Sequence, residues 1–243
     1  MARHPYLVVY SSLLLGGGSL LTFLVFLFVG SFKVVDLGLD GNRVLWFDAG
    51  LAAMFFVQHS VMVRRSFRKK YFTRLPQEYI NAFYSIASGI VLWLVIVLWQ
   101  GSGDPVVIVR GGFRWMLRLV FFGSIAGFVW GVKTLGAFDP FGIETILRKL
   151  RHREPKQTPF IVKGPYRWVR HPLYLFMLLL IWSCPDLSTD RLLFNILWTV
   201  WIWIGSLLEE RDLLLEFGEA YRTYQTKVPM LIPRITPLSD THK

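Results

Sequence analysis

The segment GPYRWVRHPLYLF, residues 164–176, gathers two arginines, a histidine and two tyrosines where a basic stretch meets an apolar one. Pro172 suits the first position of a helix, where its missing N–H costs nothing. The free backbone N–H groups of such a turn, with Arg167 and Arg170 nearby, would attract a carboxylate or a phosphate. Histidine is the residue type able to exchange a proton near neutral pH, which makes His171 a candidate general base. A second cluster, EERD at 209–212, ends an apolar segment. Adjacent acids such as Glu209 and Glu210 are costly there unless they are solvated or meet a cation. Each cluster also has a plain structural explanation, since basic residues anchor helices at the lipid interface and acids mark a helix end reaching water. Together, with Tyr166, Trp168 and Tyr174 as aromatic faces, they suit an amphoteric ligand such as an amino acid derivative, whose ammonium, carboxylate and any sulfonium need different partners.

The elements that must position these residues belong to a membrane. The chain of 243 residues is 53% hydrophobic, with a mean hydropathy of +0.44, above the range of ordinary soluble domains. Six apolar segments are expected, near 7–32, 44–63, 79–99, 113–135, 173–184 and 192–208. The fold class is therefore all-α, a polytopic integral membrane protein of one domain. Four helices fill 1–135, a basic loop spans 136–172, a helical hairpin follows at 173–208, and an amphipathic helix and tail occupy 209–243. The apolar N-terminal stretch is too long for a typical signal peptide and reads as a retained first span. Of the 27 lysines and arginines, this layout puts 21 on the side of both termini and 6 on the other. That asymmetry predicts cytoplasmic termini. The net charge of +11 is interrupted by long apolar runs and forms no continuous face for nucleic acid. A lone cysteine, Cys184, rules out an intramolecular disulfide and a Cys-rich metal site and reads as a small packing residue. No metal cluster is expected.

The fifth segment is short. Twelve apolar residues at about 1.5 Å each reach roughly 18 Å, against a hydrocarbon core of about 30 Å. If PDLSTDR (185–191) turns at the far interface, His171 lies below the near one, and the returning segment delivers Glu209 and Glu210 to the same side. The residues after them, with Leu213, Leu214, Phe217, Tyr221 and Tyr224 along one face, predict an amphipathic helix, interfacial or closing over the recess. Elsewhere, His59 at the end of the second segment is a second candidate catalytic group, against the plainer role of a hydrogen-bonded structural histidine. Asp139 in AFDPFG is expected to cap a turn. Gly16, Gly17 and Gly18 sit inside an apolar segment, without the strand that a dinucleotide-binding loop needs.

Arg-His-Pro-x-Tyr, a short hairpin, then paired Glu and Phe-Gly-x-x-Tyr resembles the membrane methyltransferase superfamily of isoprenylcysteine carboxyl methyltransferase and the phospholipid N-methyltransferases. The likeness covers about residues 158–233. VQHSVMVRRSFRKKYFTRLP at 57–76, AFDPFG at 137–142 and PMLIPR at 229–234 are similar to the branch that includes bacterial methanethiol S-methyltransferase and the NnrU-like proteins. The resemblance implies S-adenosylmethionine as methyl donor, bound in the hairpin, with contacts at Tyr166, Arg170, His171, Pro172, Leu173, Tyr174, Glu209 and Glu210. It implies a small thiol as acceptor, or else an isoprenylcysteine, lipid amine or other lipophilic molecule, and a place in a bacterial inner membrane. Because some NnrU-like relatives are associated with haem, a third expectation makes His59 and His171 axial ligands. Two positions depart from the superfamily pattern. Phe176 stands where a glycine is frequent, and Gly205 stands where isoprenylcysteine enzymes carry a substrate-handling arginine, which argues against a carboxylate acceptor.

Overall fold

The computed structural model describes residues 4–103, 106–136, 138–154, 160 and 162–238, with the side chains of residues 65 and 66 left aside. Arg3, Ala137, residues 155–159 and 161 of the basic stretch, and residues 239–243 of the tail lie outside the described residues. The chain is an all-α integral membrane protein. Five helical stretches are long and apolar enough to cross a bilayer: Pro5–Val29, Asn42–Val63, Gln77–Leu98, Gly111–Leu135 and Thr189–Lys227, with Pro172–Trp182 as a shorter apolar helix.

In chain order, α1 (Pro5–Ser11) passes through a π-turn (Ser12–Gly17) into α2 (Gly18–Val29). Then come α3 (Asn42–Val63), the short basic α4 (Arg65–Tyr71) and α5 (Gln77–Leu98). A two-residue strand β1 (Val107–Ile108) precedes α6 (Gly111–Leu135) and α7 (Ile143–Leu150). A 3₁₀ turn (Gly164–Arg167) leads to α8 (Pro172–Trp182), β2 (Asp186–Leu187), which pairs with β1, and α9 (Thr189–Lys227). The boundaries follow local chemistry. Pro76 is extended and cannot extend a helix backwards, so α5 starts after it. Gly136, at φ 66 and ψ −23, closes α6 in the left-handed conformation that glycine tolerates. Pro172 opens α8 at its first position, as its sequence context predicts.

Two compact units divide the chain: Met1–Val106, Asp139–Lys156 and Leu187–Leu197 form one, and Val107–Phe138, Gln157–Asp186 and Trp198–Lys243 the other. In the first unit, the π-turn meets α5 at very close range. A methyl group on Gly89 would collide with the Leu15 carbonyl, and one on Gly16 with the Ser85 hydroxyl. Such contacts are how membrane helices gain packing energy without a hydrophobic drive between them. Asp139 accepts from the Thr145 backbone N–H at 2.8 Å and the Thr145 hydroxyl at 2.9 Å, capping the first turn of α7.

In the second unit α6 packs on α8. The Phe176 ring occupies the space beside Gly127, and Leu173 sits against Gly131, so the bulky Phe176 is matched by a glycine on the facing helix. Arg114 holds Asp186 through two bonds of 2.7 Å each, next to the β1–β2 pairing. Cys184 is buried and directs its thiol at the Asp186 carbonyl. The tail helix expected after residue 209 is continuous with the sixth apolar segment, because residues 209–217 contain no breaker. The interruption falls at Gly218, whose φ of 54 and ψ of −126 are accessible to glycine alone.

The close approach of α5 to the π-turn predicts that Gly89→Ala costs about 1–3 kcal/mol of stability, as overpacking against backbone does. Gly50→Ala, at a helical position where an added methyl meets nothing within 4 Å, leaves the melting temperature in detergent unchanged or slightly raised.

Candidate active site

The site lies in the second unit and is assembled from the Arg-His-Pro segment, α9 and the residues after it. Its first part is the 3₁₀ turn. Gly164 has φ 52, and a side chain there would strike Thr134 of α6, so glycine is needed twice over. The turn delivers Tyr166, and the chain then runs through buried Val169 to Arg170 and His171.

These two residues are held by backbone. The Arg170 N–H donates to the Pro229 carbonyl at 2.9 Å and the His171 N–H to that of Met230 at 3.1 Å; farther along, Arg234 N–H reaches the Trp168 carbonyl and Leu238 N–H that of Arg167, at 3.0 Å each. Residues 229–238 thus form a strap alongside the motif.

Glu210 is the centre of the cluster. Its Oε1 accepts from Arg170 Nε at 2.8 Å, His171 Nε2 at 2.6 Å and the Tyr221 hydroxyl at 2.8 Å, and its Oε2 from the Gln225 side-chain amide. A carboxylate offers about four acceptor sites, so Glu210 is filled by the protein itself. Arg170 in turn donates through Nη1 to the carbonyls of Gln225 at 3.0 Å and Val228 at 2.6 Å, and so caps the end of α9. Since a carboxylate can only accept, the proton of the His171–Glu210 bond sits on Nε2, and Nδ1 is the nitrogen left for other work.

Glu209 differs from its neighbour. Its side chain is 44% exposed against 9% for Glu210, and its carboxylate lies 3.8 Å from His171 Nδ1, beyond hydrogen-bond reach. The His171 ring stacks on Tyr174 with centroids 5.5 Å apart and planes 21° from parallel. Burial, and after it the Glu209 carboxylate, push the Tyr166 hydroxyl well above the usual phenol range, so it remains a neutral donor. The Tyr166 carbonyl is fixed by the Tyr224 hydroxyl at 2.6 Å.

Of the residues expected from sequence, the structure brings Tyr166, Arg170, His171, Tyr174, Glu209 and Glu210 into one cluster. Pro172 opens α8 beside them, while Leu173 turns its side chain to Gly131. His59 belongs to the other unit, with the Tyr84 hydroxyl 2.7 Å from its Nε2 and its ring 5.2 Å from that of Phe55. Tyr221 and Gln225 are site residues that sequence reasoning missed. Tyr221 was read from sequence only as part of the apolar stripe of the tail helix, and the available signal was its hydroxyl together with the Gln225 amide four residues on.

No family model matches the chain, and no solved structure matches it. Among curated proteins, a methanethiol S-methyltransferase of a Pseudomonas species is 37% identical over 194 residues, covering 77% of this chain and 72% of that protein. One of Pseudomonas deceptionensis is 35% identical over 85% of this chain and 80% of its own length. One of Mycobacterium tuberculosis is 30% identical over 92% and 96%. The chain belongs to the methanethiol S-methyltransferase family.

Within that family the geometry separates the two acids chemically. Glu210 faces inward and is saturated, whereas among the described residues no hydrogen bond reaches the carboxylate of Glu209. The expectation of His59 and His171 as axial haem ligands is not favoured, since these relatives are named as methyltransferases. At Gly205 an added side chain would meet nothing within 4 Å, so the position expected to lack a cation is also open space.

This division predicts different outcomes for the neighbours. Glu210→Ala leaves the buried Arg170 without its charge partner and costs about 3–5 kcal/mol, as broken buried pairs do. Glu209→Ala changes stability by less than about 0.5 kcal/mol, as exposed substitutions do. Denaturant titration of both variants in detergent distinguishes them.

Proposed function

We propose that the chain is an S-adenosylmethionine-dependent membrane methyltransferase whose acceptor is a small thiol, methanethiol being the one named for its relatives. The observation that carries this reading is the unequal pair: a saturated Glu210 fixing Arg170 and His171, and beside it the half-exposed Glu209 amid Tyr166, His171 and Tyr174. That set of groups fits the donor. Glu209 would hold the ammonium. The N-terminal turn of α8 would hold the carboxylate, a role that falls to the backbone because Arg170 is engaged with Glu210 and the end of α9. Tyr174 would present its ring to the sulfonium.

When bound, S-adenosylmethionine supplies an electrophilic methyl group, and the reaction class is displacement by a thiolate at that carbon. The chain's contribution is alignment and proton handling. His171 Nδ1 is the free ring nitrogen and would take the thiol proton, since the thiolate is the reactive form. Glu210 would keep the imidazole oriented for this. Tyr166, held neutral, would serve as hydrogen-bond donor rather than base. The reading places the protein in a bacterial inner membrane with both termini and the site toward the cytoplasm, in keeping with the distribution of lysine and arginine.

Purified protein given methyl-labelled S-adenosylmethionine and methanethiol is expected to release labelled dimethyl sulfide into the headspace. Glu209→Gln should raise the donor Kd about 10- to 100-fold, the value of a hydrogen bond to a charged group, without loss of folded protein. Donor affinity unchanged in that variant would overturn the assignment of Glu209. Absence of volatile product while donor binding persists would overturn the choice of acceptor.

A further inference from the structure

The motif VQHSVMVRRSFRKKYFTRLP builds a polar corner inside the first unit, where α3, α4 and α5 meet. Arg68, on α4, is partly buried. Its Nε donates to the Met62 carbonyl at 3.1 Å and its Nη1 to Asn81 Oδ1 at 3.2 Å. Its guanidinium carbon lies 5.6 Å from the centroid of the Tyr84 ring. All these partners are neutral, and among the described residues no carboxylate pairs with Arg68. Burial pulls its pKa below the ordinary arginine value, the mark of a cation short of compensation. The Tyr84 hydroxyl is hydrogen-bonded to His59, and both side chains remain partly accessible. On α3, Gln58 Nε2 reaches Ser88 at 3.3 Å, while Gln58 Oε1 is sealed from solvent without a hydrogen-bond partner.

We infer that Arg68, Tyr84 and His59 form a binding site for a small monoanion, the thiolate form of the methyl acceptor. This rests on the reading of the chain as a thiol methyltransferase. One guanidinium supplies one positive charge, which matches a thiolate and undercompensates a phosphate dianion. A neighbouring cation lowers a thiol's pKa and so raises the reactive fraction. The rings of Tyr84 and His59 and the Met62 thioether give an apolar, polarizable surface for the rest of a small thiol.

The test measures methanethiol binding to the full chain in detergent by headspace depletion without donor, and then KM for the thiol and Kd for S-adenosylmethionine. Arg68→Gln should weaken thiol binding and raise KM by tenfold or more, with donor Kd within twofold of the unsubstituted protein. Arg68→Lys should recover most of the loss, and Tyr84→Phe should weaken binding severalfold. Unsubstituted binding and KM in both Arg68→Gln and Tyr84→Phe would overturn the site while leaving the methyltransferase reading intact. Arg68-dependent thiol binding without methyl transfer would support the site and defeat that reading. Loss of co-purified anionic phospholipid from Arg68→Gln, with thiol binding unchanged, would overturn it in favour of a headgroup contact.

Discussion

A carboxylate taken out of water costs several kcal/mol unless its lone pairs are filled, and in a membrane protein few donors are at hand. Glu210 meets that constraint by drawing its donors from three parts of the chain: Arg170 and His171 before α8, Tyr221 beyond the break in α9, and Gln225 a turn farther on. The arrangement of the second unit around the site follows. Arg170 spends its remaining hydrogen bonds on the end of α9, and the strap of residues 229–238 satisfies backbone groups of the motif. The hydrophobic cluster of Tyr221, Tyr224 and Val228, with Phe160 and Phe217 packed against it, adjoins this network through Tyr221. A buried, fully connected polar network of this kind specifies one geometry, since partial satisfaction would be worse than none.

The same constraint explains how two identical neighbours do different things. Successive residues on a helix point about 100° apart, so when Glu210 turns toward Arg170, Glu209 is carried away from it toward Tyr166 and the stacked rings of His171 and Tyr174. The saturated acid makes the other usable, because it holds His171 with a defined nitrogen free.

The chemistry-bearing residues were legible in sequence because each is a polar side chain set against an apolar background. Arg-His-Pro and the paired acids stand out, and a hairpin too short to span the bilayer implied that they meet. The division between Glu209 and Glu210 was hidden, since composition says nothing about helical phase. The strap was hidden for another reason: its bonds run between backbone groups of residues 167–171 and 229–238, which carry no side-chain signature. Tyr221 and Gln225 were obscured by Gly218, whose break resets the register by which a residue beyond it could be assigned to the face of Glu210. The close approach of Gly89 to Leu15 likewise depends on the π-turn, a local departure that apolar periodicity does not reveal.

The strap has a consequence for how the protein matures. Arg170 and the Val228 carbonyl it binds are 58 residues apart, and every donor or acceptor that α9 and the strap lend to the motif is made later than the motif itself. The Arg-His-Pro segment is therefore synthesised before any of these partners exists. The cluster closes only when the tail folds back over it. Glu210 gains all of its partners only once the chain has been made through Gln225.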